Sequence, residues 1–113
     1  IGEINFRVTD SNRICEDYED LETIEKHSRC EDALDELDLC NGILTKWAIP
    51  QKHKPKHCLL EIDDFGESHC FWNPEEHGKP NKDSYAICHI KNGRYFLEFS
   101  LHNGSIIFPQ TLS

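Results

Sequence analysis

Six cysteines, at positions 15, 30, 40, 58, 70 and 88, constrain this chain more than any other feature. They are evenly spread, and no two form a C-x-x-C pair. An even number at wide spacing favours a disulfide framework laid down in an oxidising compartment. The alternative is an intracellular protein holding zinc or buried thiols, since free cysteine packs well as a small hydrophobe. On the disulfide reading, parity matters. Cys15, Cys30 and Cys40 fall in the N-terminal part and Cys58, Cys70 and Cys88 in the C-terminal part. Three cannot pair among themselves, so at least one bridge joins the two parts. Each bridge contributes about 2–4 kcal/mol, mainly by constraining the unfolded chain. Spacing alone leaves the connectivity open.

The 113 residues suit one domain, 1–113, with a modest core that profits from such staples. At 37% hydrophobic and 29% charged, the composition is that of a folded chain rather than a disordered one. Apolar runs are only a few residues long, so no membrane insertion of this segment is expected. The chain begins at Ile1 and contains no Met, which reads as a processed mature chain or an excised ectodomain. Asn103-Gly104-Ser105 is a glycosylation sequon, and a glycan on Asn103 agrees with secretion.

Charge is distributed unevenly. Ile14 to Cys40 holds eleven acidic residues against Lys26 and Arg29, a balance of −9, and the remainder carries ten of each sign. The whole formal charge therefore sits on this segment. Its apolar residues follow helical spacing: Ile14, Tyr18, Leu21 and Ile24, then Cys30, Ala33, Leu34, Leu37 and Cys40. Thr9 to Asn12 is a cluster of helix-capping types, and Ser28-Arg29-Cys30-Glu31 matches a capping box. Asn41-Gly42 supplies a left-handed stop. The spacing predicts a helical half over about residues 10–40, as two helices or one continuous one, with a narrow buried face and a broad acidic face. Glu16/Asp20 and Asp32/Glu36 are like-charge i,i+4 pairs, each destabilising a helix by about 0.2–0.5 kcal/mol.

Elsewhere the pattern is different. Ile1 to Val8 alternates as a short strand or extended arm, and Ile43 to Ile49 reads as a short helix or a buried strand. Gln51 to His57 is a basic loop interrupted by Pro55. From Cys58 the period becomes two. Strands are predicted at His57–Ile62, Ser68–Trp72, Ser84–Ile90, Arg94–Leu101 and Ser105–Phe108. Asp63 to Gly66 turns the first pair, and Asn92-Gly93 and Asn103-Gly104 are hairpin turns. This gives a sheet half over about residues 57–109. The expected fold is α+β, with an N-terminal acidic helix pair packed on a C-terminal antiparallel β-meander and stapled by disulfides.

Cys15, Cys30 and Cys40, in sequence read as helical, resemble in their spacing the helical ectodomain of receptor activity-modifying proteins. The resemblance covers less than a quarter of the chain and implies an all-helical fold. The strand pattern after Cys58 departs from that implication.

No motif for catalysis is present: no G-x-S-x-G, no glycine-rich phosphate loop, no H-E-x-x-H. No catalytic residue is assigned and no enzyme is expected. A small secreted hydrolase using a His–carboxylate pair is the alternative. Only His53 and His57 have the close spacing of zinc ligands, and Pro55 lies between them. Asp63-Asp64-Phe65-Gly66-Glu67 lacks the alternate oxygen ligands of a calcium loop and reads as a polar hairpin turn. No metal and no cofactor are expected. Nucleic acid is disfavoured by the sign of the charge. What remains is a disulfide-rich module, secreted or on the extracellular side of the cell surface. It would be an effector, an inhibitor or a receptor ectodomain that engages a basic protein partner. Glu16, Asp20, Asp35 and Asp38 on the acidic helical face carry this expectation, with Trp47 as an apolar anchor.

Overall fold

Strand pairing dominates residues 4–91, the part of the chain described by the computed structural model. Six strands and one α-helix are present there: β1 (Phe6–Ser11), β2 (Leu21–Thr23), α1 (His27–Leu37), β3 (Leu44–Lys46), β4 (His57–Ile62), β5 (Ser68–Asn73) and β6 (Ser84–Ile90). Two short 3-10 turns, Cys15–Asp17 and Cys40–Gly42, flank β2 and α1. The strands form one sheet in the order β1-β6-β4-β5-β3. β2 joins it on β6, with Leu21 opposite Ile90 and Thr23 opposite Cys88. All pairings are antiparallel except β3 with β5.

The expected helix pair is not formed. Residues 9–11, read as helix caps, continue β1, and the stripe Ile14, Tyr18, Leu21 and Ile24 spans a 3-10 turn and β2. The like-charge neighbours of this stretch oppose a helix, and β6 offers its backbone an alternative partner. The three-residue spacing of Leu21 and Ile24 fits a helix, but in the fold both are buried around a strand end. The second helix does form. Cys30, Ala33 and Leu34 are its buried stripe, as the spacing predicts. It starts earlier than the Ser28 capping box implies, after Lys26 and without a side-chain cap. It also stops before Cys40, with Asp38 left-handed at φ 55°.

The meander is corrected as well. β4 and β5 are the predicted hairpin, but β6 lies against β4 rather than β5, with Leu59 opposite Ala86 and Glu61 opposite Ser84. The loop between β5 and β6 is long enough to cross. It is pinned on the way by a backbone bond from Lys79 N to Lys54 O at 3.0 Å. Gly78 approaches Lys56 so closely that a Cβ there would lie 2.2 Å from its backbone nitrogen. Asn73, fully buried at the end of β5, ties the same loops. Its Oδ1 accepts from Gln51 N (2.9 Å) and Glu75 N (3.3 Å), and its Nδ2 donates to Gln51 O (3.0 Å) and Pro55 O (2.8 Å). The predicted strands beyond β6, their Asn-Gly turns and Asn103 lie outside the described residues.

Both faces of the sheet are covered. On one, α1 packs with Cys30, Ala33 and Leu34 against Phe6, Cys58, Leu60, Cys70 and Ile87. On the other, the first 3-10 turn and β2 bring Cys15 and Leu21 onto Ala86, Cys88 and Ile90. A disulfide is buried within each layer. Cys30–Cys58 fastens α1 to β4, Cys40–Cys70 fastens the second 3-10 turn to β5, and Cys15–Cys88 fastens the first to β6. Parity requires one bridge between the N- and C-terminal parts; all three cross.

Candidate functional site

The acidic segment surrounds a groove where the start of α1 meets β2 and the end of β6. Its lining comprises Glu16, Glu22, Thr23, Ile24, Glu25, Lys26, Ser28, Arg29 and His89, around about 660 Å³ of open space. Strand geometry explains the pairing at its wall. Glu22 lies opposite His89 in the β2–β6 register, so the two side chains share one face. The Glu22 carboxylate accepts a hydrogen bond from His89 Nδ1 at 3.0 Å. That contact assigns the neutral ring its proton at Nδ1 and leaves Nε2 as an acceptor. Phe6 meets the His89 ring edge-on at 5.6 Å, and the Arg29 guanidinium lies over Phe6 at 5.0 Å. Arg29 is held there by Asp32 at 2.8 Å. Glu16, carried by the 3-10 turn beside Cys15, accepts from the Thr23 hydroxyl.

A buried histidine supports the groove from behind. His57 stands at the start of β4 with φ 65°, a left-handed conformation uncommon outside glycine. Its Nδ1 donates to Ile24 O at 3.0 Å, and its ring stacks on Trp72 with centroids 4.5 Å apart. These contacts fix the Ile24–Lys26 turn that leads into α1. Glu25, on that turn, lies 3.7 Å from His57 and 3.6 Å from Lys56.

The five residues expected to meet a partner are not brought together. Glu16 lines the groove, and Asp20 pairs with Arg7 at 3.4 Å. Asp35 and Asp38 sit exposed at the far end of α1. Trp47 follows β3, stacked on Phe71 at 4.6 Å beneath the Lys54 ammonium. Glu22, Glu25 and His89 were missed by sequence reasoning. The only local signal was the neighbouring Cys88, which identifies His89 as a residue on a buried strand but does not reveal its partner.

Metal-ligating side chains do not converge on this groove. The described residues gather them at the β4–β5 turn instead, where ligand atoms of Asp63, Glu67 and His69 lie within 4.8 Å of one another. The Asp63 carboxyl is held below the usual carboxylate range, first by the hydrogen bond from His69 and then by the backbone N–H of Glu67. Partial desolvation opposes them, and the Phe65 N–H and the His69 charge add lesser lowering effects. The fold therefore favours the ionised form. Its contribution is fully present above the ordinary Asp value of about 3.9 and is lost as pH falls through the depressed midpoint. An NMR titration of the carboxyl carbons should give Asp63 a midpoint below that ordinary value, and His69→Gln should raise it.

Among the described residues, no helix is long and apolar enough to cross a membrane. Three disulfides in a chain of this size are typical of secreted or extracellular proteins. Comparison with protein-family models, with curated proteins and with solved structures finds no match.

Proposed function

We propose that this chain is an extracellular, disulfide-stapled binding module that engages a basic protein partner through the carboxylates of residues 16–38. The reading is supported by how little of that charge the described residues neutralise. The basic loop meets this segment at one carboxylate: Lys56 pairs with Glu25, while Lys54 pairs with Glu61. Arg7 and Arg29 take Asp20 and Asp32. Among the described residues, Glu19, Glu31, Asp35 and Asp38 are exposed and pair with no basic side chain. Asp35 and Asp38 also lie at the C-terminal end of α1, where the helix dipole disfavours anions by about 0.3–1 kcal/mol. Such charge is poorly placed for stability and well placed to steer a cationic surface. The groove of Glu16, Glu22 and Glu25 gives a partner lysine or arginine a place to enter. A secreted effector, an inhibitor and a receptor ectodomain would all use this surface in the same way, and nucleic acid would be repelled by it.

Binding is favoured over catalysis because the sequence carries no G-x-S-x-G or H-E-x-x-H motif and, of the two hydroxyls in the groove lining, on Thr23 and Ser28, that of Thr23 is committed to Glu16. A small hydrolase is the second reading, favoured by that same pair lying in a groove between helix and sheet.

The test reverses charge where, among the described residues, no ion pair is lost. Glu19→Lys, Glu31→Lys and Asp35→Lys together should weaken affinity for a partner captured from extracellular fluid by about tenfold or more at low salt, and flatten its salt dependence. Circular dichroism should stay unchanged. Equal affinity and an equal salt slope would remove the acidic surface from the interaction.

A further inference from the structure

The β4–β5 turn places an imidazole and two carboxylates on one exposed corner, and the reason lies in its backbone. Gly66, at φ 82°, lets the chain reverse within five residues, and Asp63 N donates to Glu67 O at 2.9 Å to close the hairpin. Asp63 Oδ1 accepts from Phe65 N at 2.8 Å and Glu67 N at 2.9 Å. That oxygen is therefore occupied, and Oδ2 is turned outward, 2.8 Å from His69 Nε2. His69 is held by β5, opposite Glu61 in the β4 register. A carboxylate oriented by two backbone donors and an imidazole mounted on a strand are preorganised as ligands. Glu67 supplies the third atom.

We propose that Asp63, Glu67 and His69 bind a zinc-class divalent transition metal. Tetrahedral ligands about 2.0–2.1 Å from zinc stand about 3.3 Å apart. The Asp63–His69 contact of 2.8 Å therefore opens by about half an ångström as the metal replaces the shared proton, and Glu67, now within 4.8 Å of both, swings inward. The imidazole selects zinc-like ions over calcium and magnesium, which prefer oxygen alone. A separate observation bears on access. Glu67 and His69 also line a groove of about 490 Å³ whose other walls include Asp38, Asn41 and Thr45. A fourth position left open by three protein ligands thus faces space for water or a partner's donor atom. The site departs from the expectation of no metal because two of its ligands belong to the turn and the third lies beyond it on β5, outside the usual paired spacing.

The experiment titrates the intact, oxidised chain with zinc(II) alone, followed by calorimetry and by the imidazole resonances of His69. One equivalent should bind, with His69 shifting in step with the heat. His69→Gln and Glu67→Gln should each weaken binding by about tenfold or more. Asp63→Asn, which keeps the oxygen that accepts from the turn, should do the same while leaving the fold intact by circular dichroism. His27→Gln, at another exposed histidine, should change nothing. Calcium(II) should leave His69 unmoved. Binding that persists in His69→Gln, no response of His69 to zinc, or an equal response to calcium would each overturn the assignment.

Discussion

Removing the Cys15–Cys88 bridge by the paired change Cys15→Ala and Cys88→Ala should lower the unfolding free energy by about 4 kcal/mol. The bridge closes a loop with a sequence separation of 73, against 28 and 30 for the other two. The chain-entropy relation gives about 4.4 kcal/mol for the first and about 3.6 kcal/mol for each of the others. A domain's whole stability is about 5–15 kcal/mol, so this single loss leaves little in hand. The effect should also be local. Glu16 follows Cys15 directly, so its bond with Thr23 and its place in the groove depend on the tether. Urea denaturation measures the first effect and backbone amide spectra the second. A change below about 1 kcal/mol would mean that packing of Leu21 and Ile90 holds this layer without the bridge.

Asn73→Ala should cost about 3 kcal/mol or more. The buried amide uses both of its donors and both acceptor positions on the backbone of two loops. Truncation leaves those groups without their partner, at about 1–3 kcal/mol for each one that water does not reach. Asn73→Asp should be worse at neutral pH, because it sets a carboxylate against the carbonyls of Gln51 and Pro55. Burial and those carbonyls would raise the pKa of the introduced acid in the folded state. The folded variant then binds a proton that the unfolded chain releases, so its deficit should shrink as pH falls through the raised midpoint. Denaturant melts of both variants across the acid range check the order and the sign. Equal, pH-independent losses would exclude this hydrogen-bond account.

Legibility in the sequence followed the range of the forces involved. β4 and β6 fall on the predicted residues and β5 runs one residue further, because each is a short run bounded by turn-forming residues. These are Pro55 before β4, Asp63 to Gly66 after it and Pro74 to Asp83 before β6, while the two covered faces bury β4 and β6 nearly throughout. The buried face of α1 was equally plain. The first acidic stretch was not, since Leu21 and Ile24 three apart suit a helix as well as a strand end. What decides between them is pairing with β6, almost seventy positions away. Sheet order was hidden for the same reason: nothing near Ser84 says that its strand lies against β4 rather than β5. The groove inherits this. Glu22 and His89 meet only through the register of β2 on β6, whereas Asp63 and His69 meet across one turn.

The way the three cystines cross the chain also bears on its survival among proteases. Lys52 lies in an exposed loop, and tryptic cleavage after it yields two peptides, one carrying Cys15, Cys30 and Cys40 and the other Cys58, Cys70 and Cys88. Every half-cystine is then joined to one on the other peptide. The nicked molecule migrates as a single species until a reductant is added, and that single cut does not release a fragment.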